Sequence, residues 1–335
     1  MSGLGPRVLA GEHEAFHGHP TTGVELLWNV LADHPELPRA RWLLGVCLGA
    51  LGRYTAAAAV LGPAVAGDSL AASARASHLR QLERHAAAET LDRAALRLAR
   101  DGPPHARTEA LADALTGLVA DAVGRHDLPG ARERLAEAAE HVARSAGDRS
   151  AGDGSAGDGS AGDRSAGDRS AGDGSAGDGS AGDRSAGDRS AGDGSAGDGS
   201  AGDRAAAAAG WRAPIRLAWV SAEVALLGTR PDEAARQAED AVRRSIAAGA
   251  PRHLAKSLLF RGVAEQVLGA PSAASTLDAA ARAAQDLGLL PLLWPARLVR
   301  SRILAESEPE TARGDLAAAH AAMRAIAVGL TGGDS

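Results

Sequence analysis

The sequence predicts an all-α fold, a solenoid of about seven antiparallel helix pairs. Three observations carry that expectation: a 34-residue recurrence of glycines, a composition rich in alanine and leucine, and prolines placed where helices must begin or stop. At 335 residues the chain exceeds the usual size of one compact domain, so two domains or an elongated array is expected. Phe16, Phe260, Tyr54 and five tryptophans supply all the aromatic bulk. The core must therefore be built from small and medium aliphatic side chains, which suits closely spaced helices. Val, Ile and Thr are sparse and no stretch alternates apolar and polar residues, which removes the signal for strands.

In the first unit Gly11 and Gly18 stand seven residues apart, and Gly45 and Gly52 repeat them 34 residues later. The earlier glycine of each pair falls inside an apolar helix, where a missing side chain lets a neighbouring helix approach. The later one is placed for a left-handed C-cap. The segment WLLGVCLGALGRYTAAAAVLGPAVAGD, from Trp42 to Asp68, resembles a tetratricopeptide repeat through Leu44-Gly45, Gly52-Arg53-Tyr54, Ala57, Leu61 and Ala64. The preceding unit is similar through Gly11, Gly18, Leu27 and Pro35. Downstream, Gly117 with Gly124 and Gly262 with Gly269 keep the seven-residue interval while turns and unit lengths vary. The later pairs, around Leu287 to Leu304, are similar to helical repeats at the C-terminal ends of large actinobacterial signalling ATPases and regulators.

Proline placement tests this reading separately, because a proline in a helix interior costs about 3 kcal/mol. Pro20, Pro35, Pro38, Pro103, Pro104, Pro129, Pro214, Pro231, Pro251, Pro271, Pro291 and Pro309 fall at inferred helix starts or between helices. Pro63, with Gly62, is expected to shorten or kink its helix.

Between the fourth and fifth pairs, SAGDR or SAGDG repeats twelve times from Ser145 to Arg204. Each unit offers one alanine methyl for burial, too little to offset the entropy of ordering its backbone, so a disordered insert is expected. As a coil, sixty residues have an end-to-end distance on the order of 40 Å. Helical repeats over residues 1–144, the insert at 145–204 and further helical repeats over 205–330 complete the expected organisation. The glycines of the insert neither follow a strand nor open a helix, so its GxGxxG matches do not read as a nucleotide site.

The insert holds twelve Asp and six Arg, which accounts for the whole formal charge of −6 and leaves 30 basic and 30 acidic residues elsewhere. A balanced surface with few aromatics gives no reason to expect nucleic-acid binding. Arg53, beside Gly52, interrupts the one apolar stretch, Trp42 to Gly67, and argues for a soluble hairpin over a membrane span. No apolar core with a cleavage site marks the N-terminus, and the single Cys47 fits a reducing compartment, so a cytoplasmic location is expected.

Chemistry-bearing motifs are few. His13, Glu14 and His17 fit HExxH, which would set two imidazoles on one helix face beside a glutamate base, but the 34-residue register runs through them and no third ligand is evident. A packing role is the expected one. There is no phosphate loop and no serine nucleophile elbow, Cys47 sits among apolar residues, and the expectation is a non-catalytic chain without cofactor. The arginines at 243–244 and 297–302 read as solvated faces, and Arg132 and Arg134 as local partners of Glu133.

The tetratricopeptide resemblance implies a superhelix whose concave wall, lined by the first helix of each pair, receives a protein or peptide segment. It places Arg39, Trp42, Val46 and Gly49 on that wall in the second pair, with Lys256, Leu259 and Val263 in the sixth. Trp42 is the candidate anchor, although an aromatic at this spacing more often packs than recognises. The alternative is a ligand- or peptide-responsive regulatory sensor, in which the occupant shifts the packing of the two halves.

Overall fold

The computed structural model describes residues 4–153 and 210–331. Among these residues there are fourteen helices and no strands, arranged as seven consecutive antiparallel pairs. Four pairs precede the insert: α1 (Leu4–Phe16) with α2 (Pro20–Asp33), α3 (Pro38–Ala50) with α4 (Tyr54–Leu61), α5 (Ser69–Gln81) with α6 (His85–Asp101), and α7 (Pro104–Gly124) with α8 (Leu128–Asp153). Three follow: α9 (Arg212–Leu227) with α10 (Pro231–Ala247), α11 (Pro251–Val267) with α12 (Ala273–Asp286), and α13 (Leu290–Leu304) with α14 (Pro309–Thr331).

Local chemistry starts and stops these helices as expected. Pro20, Pro38, Pro231 and Pro251 occupy first helical positions, where their missing N–H has no intrahelical partner to lose. Asp68 caps α5 by accepting from the backbone N–H groups of Leu70 and Ala71. Gly52 ends α3 with φ +76°, and Arg53 N donates to Leu48 O across it. Gly18 takes no left-handed conformation, and at other helix ends Glu83, His126 and Thr229 do so without being glycines. Pro63 lies just beyond α4, which stops at Leu61 and is only one pair of turns long. Pro295 is the proline inside a helix, within α13.

The 34-residue recurrence is a recurrence of packing. A Cβ on Gly11 would overlap the side chain of Leu27, and one on Gly45 would overlap Leu61 in the same way. Each glycine admits a buried leucine of its partner helix, and Leu27 and Leu61 are both fully buried. Gly262 plays the same part against Leu277 in the sixth pair.

Most of the SAGD insert lies outside the described residues. Its described start differs from the expected coil: α8 continues to Asp153. The Ser145 hydroxyl donates to the His141 carbonyl there. Extending an existing helix costs far less than nucleating one, so the first units follow α8.

The first helices of successive pairs stack side by side, α1 on α3, α3 on α5, α5 on α7, α7 on α9, α9 on α11 and α11 on α13. This row curves through a full turn and closes. α14 packs against α4 and α1 against α11, so the last pairs return to the first two. At this seam Ala50 is buried with Ala255, Ala284 and Leu289. Gly52 is needed twice, because a Cβ there would also stand 2.8 Å from Ile326 Cγ1 of α14. Across the insert the halves meet through Leu115, Val119, Ala131 and Ala138 packed on Val220 and Val224.

Candidate functional site

Closure turns the concave wall into the lining of a central cavity of about 310 Å³, within the range of small-molecule sites. All seven first helices contribute to it or border it. On α9 the lining residues Arg212, Arg216, Trp219, Val220 and Glu223 follow helical spacing, and on α11 Arg252, His253 and Lys256 do the same.

The wall mixes apolar and polar side chains, and the charges on and just behind it are organised in three groups. In the first, Arg39, Arg212 and Arg216 face Glu12, Glu109 and Asp113. Arg39 pairs with Glu12 and with Glu109 (2.9 Å), Arg212 with Glu109 and with Asp113 (3.3 Å), and Arg216 with Asp113 (3.3 Å). Burial works against the Asp113 carboxylate, but Arg216 and Arg212 outweigh it and hold its pKa below the usual range. In the second group Arg80 pairs with Asp92 and, at 3.1 Å, with Asp121. Burial pushes both carboxyls up, only partly opposed by Arg80, so the pair tends to keep a proton.

The third group is not balanced in this way. No carboxylate lies within salt-bridge distance of Arg252 among the described residues, and burial lowers its guanidinium to about 10. Its field reaches Cys47, Tyr54, His78 and His253. Lys256 is pushed down by burial to about 8, with Glu223 as the opposing charge, yet the two do not close to an ion pair. The Lys256 ammonium instead lies 4.5 Å over the Trp219 ring and 5.5 Å over Phe260.

Histidines and hydroxyls complete the wall. His78 and His253 are buried and held neutral, His78 with a pKa lowered by burial to about 3. The Nδ1 atoms of both, and the Ser73 hydroxyl, have no hydrogen-bond partner. Trp219 is fixed by its Nε1–H donating to Ser257 Oγ at 2.9 Å, and it stacks on His253 at 5.3 Å. Trp211 sets an edge against His253 (4.8 Å) and packs beside Phe16 and His17, tying the returning chain to α1.

Of the wall residues named from the sequence, Trp42, Val46, Gly49 and Lys256 line the cavity. Gly49 must be glycine, since a Cβ would overlap His78 Nε2. Trp42 is only 1% exposed, and the Arg39 and Arg212 guanidinium groups stand 4.4 Å and 5.2 Å from its ring, so it forms wall more than anchor. Arg39 sits behind the wall in the first charge group. Leu259 packs instead with Ala280, Ala281 and Ala296 between helices, and half-buried Val263 does not reach the cavity. The inner stripe of α11 runs through Arg252, His253 and Lys256, a rotation away from the expected one.

Other readings change with the contacts. Arg297 and Arg300 are not solvated: they pair with Asp278 of α12 and Asp315 of α14, and Asp315 is buried. Arg134 reaches Glu89 on α6 at 2.9 Å, not Glu133. Arg243 and Arg244 are exposed, both on Asp240, as a solvated face should be. In HEAFH, Glu14 accepts from His19 N at 2.9 Å and His17 Nδ1 donates to Gly249 O at 3.0 Å across the seam. Among the described residues no group of three or more His, Cys, Asp or Glu converges as for a metal. Cys47 is buried, its thiol pushed up by burial to about 12, unsuited to nucleophilic chemistry. No helix among the described residues is long and apolar enough to cross a membrane.

No protein-family model matches the chain, and no curated protein matches it.

Proposed function

We propose that this chain is a non-catalytic, cytoplasmic binding module of tetratricopeptide type whose occupant sits inside the ring of first helices and ties its two halves together. The supporting observation is the central cavity itself. Its 310 Å³ is lined from both sides of the insert by Trp42, Val46 and Gly49 on one half and Trp219, Arg252 and Lys256 on the other.

That shape narrows the expected partner. An open groove takes an extended segment, whereas this cavity accommodates a small molecule or the end of a peptide. A ligand touching both halves binds the closed ring better than any loosened one, which is the requirement for a ligand-responsive sensor.

A thermal-shift screen of small molecules and short peptides tests the proposal, run in parallel on wild type and on Val46→Trp, which fills the cavity from the half-buried face of α3. Occupants of the ring stabilise wild type by about 2.7 kcal/mol at a hundredfold excess over Kd, which raises its melting temperature, and leave the variant unmoved. Hits that stabilise both proteins equally bind elsewhere and contradict the reading, as does turnover of any ligand.

A further inference from the structure

We propose that the cavity is an oxyanion site centred on Arg252: a carboxylate or phosphate group of the occupant docks on this guanidinium, with His78, His253 and Ser73 around it. This rests on the binding reading above and names the chemistry of the ligand.

Three observations carry it. First, the other arginines of the wall already have their anions. Arg212 and Arg216, with Arg39 behind them, share Glu12, Glu109 and Asp113, and Arg80 holds Asp92 and Asp121. Arg252 lines the same cavity with no carboxylate in reach among the described residues. Arg252 is half-buried, and a guanidinium withdrawn from water without a carboxylate is costly unless an occupant supplies the negative charge.

Second, the cavity holds neutral polar groups short of partners, while its carboxylate Glu223, in no ion pair among the described residues, stands opposite Lys256 and is pushed toward the neutral form by burial. The Ser73 hydroxyl and the Nδ1 atoms of His78 and His253 are buried without hydrogen bonds, and all three residues line the cavity. Each can donate to an oxyanion, and none brings a competing negative charge.

Third, the site is assembled by ring closure. Arg252 comes from α11 in the C-terminal half, and the residues its charge bears on, Cys47, Tyr54 and His78, come from α3, α4 and α5 in the N-terminal half. An anion held there bridges the seam. Lys256, over Trp219 and Phe260, offers a second cation beside an aromatic surface. An anionic group carried on a planar ring suits both.

The test is calorimetric titration of the full chain with benzoate, phenyl phosphate and the neutral isostere benzamide. Benzoate or phenyl phosphate binds wild type, and the tighter of the two identifies the anion as carboxylate or phosphate; benzamide does not bind. Arg252→Gln weakens the anion by roughly tenfold or more, the worth of one charged hydrogen bond, while Arg252→Lys keeps part of the affinity. Circular dichroism and a melting temperature no lower than that of wild type show that the variants are folded. Binding of benzamide as tight as benzoate, equal affinity in Arg252→Gln, or no heat from either anion at millimolar concentration would overturn the proposal. Val46→Trp separates the two levels: binding lost there but indifferent to Arg252 leaves the cavity reading standing and removes the oxyanion site. Anion binding that survives Val46→Trp removes the cavity reading itself.

Discussion

Two regions of the same inner wall treat buried charge in opposite ways. Where α1, α3, α7 and α9 meet, three arginines and three carboxylates form a closed network, joining the halves of the chain through Glu109 and Asp113 on one side and Arg212 and Arg216 on the other. On α11, the next first helix round the ring, Arg252 and Lys256 face the cavity without closing an ion pair. The first arrangement is what a fold needs. The second leaves Arg252 without a carboxylate partner, while Lys256 has only Glu223 at a distance, and the difference separates architecture from recognition on one surface.

The comparison can be broken most forcefully at its balanced end. Arg212→Ala leaves Glu109 and Asp113 short of a partner in a buried site and is expected to cost about 3–5 kcal/mol in denaturant unfolding. A loss under 1 kcal/mol would mean the network is ornamental. Acid comes next. His78 and His253 are neutral in the folded chain and ionise in the unfolded one near pH 6.5, so folding loses stability as pH falls below that value and continues to lose it down to the folded pKa, about 3 for His78. Each contributes up to about 1.4 kcal/mol per pH unit. His78 is faced by Arg75 and Arg80 on its own helix and by Arg252 from α11, all of which oppose its protonation. Unfolding curves at pH 7 and pH 5 should therefore converge in His78→Leu relative to wild type, and an unchanged gap would assign the acid sensitivity elsewhere.

A smaller effect isolates the seam from the charges. Gly52→Ala imposes a side chain on a left-handed residue that also meets Ile326, for about 1–2 kcal/mol of strain. It should reduce anion affinity without touching any group that holds the anion. Unaltered affinity would show that the cavity does not depend on closure at α4 and α14.

Much of the architecture was legible because periodic packing leaves periodic residues. Gly11 and Gly45 each had to admit one leucine, and that necessity wrote itself into the chain at a fixed interval. The number of pairs and the position of the insert followed from prolines and glycines that local backbone chemistry confines to helix ends. The site was legible only in part. Trp42, Val46, Gly49 and Lys256 were reachable from repeat register, but Leu259 was placed one stripe off because α11 is nearly as apolar on its outer faces as on its inner one. Arg212, Arg216, Trp219 and Glu223 formed an unread signal, charged and aromatic residues at helical spacing along one face of α9. Closure of the ring was beyond the sequence, since Gly52 against Ile326 and Arg252 beside His78 are contacts between distant pairs that no local pattern specifies. Arg297 and Arg300 misled for a related reason: their partners Asp278 and Asp315 lie on other helices.

The smallest expected effect is the most direct test. Arg252→Gln removes the charge that has no carboxylate partner in the folded chain, and the unfolding free energy of the ligand-free variant should lie within about 0.5 kcal/mol of wild type or above it. A loss comparable to that of Arg212→Ala would show that Arg252 belongs to the framework after all, and the division between the two regions would not hold.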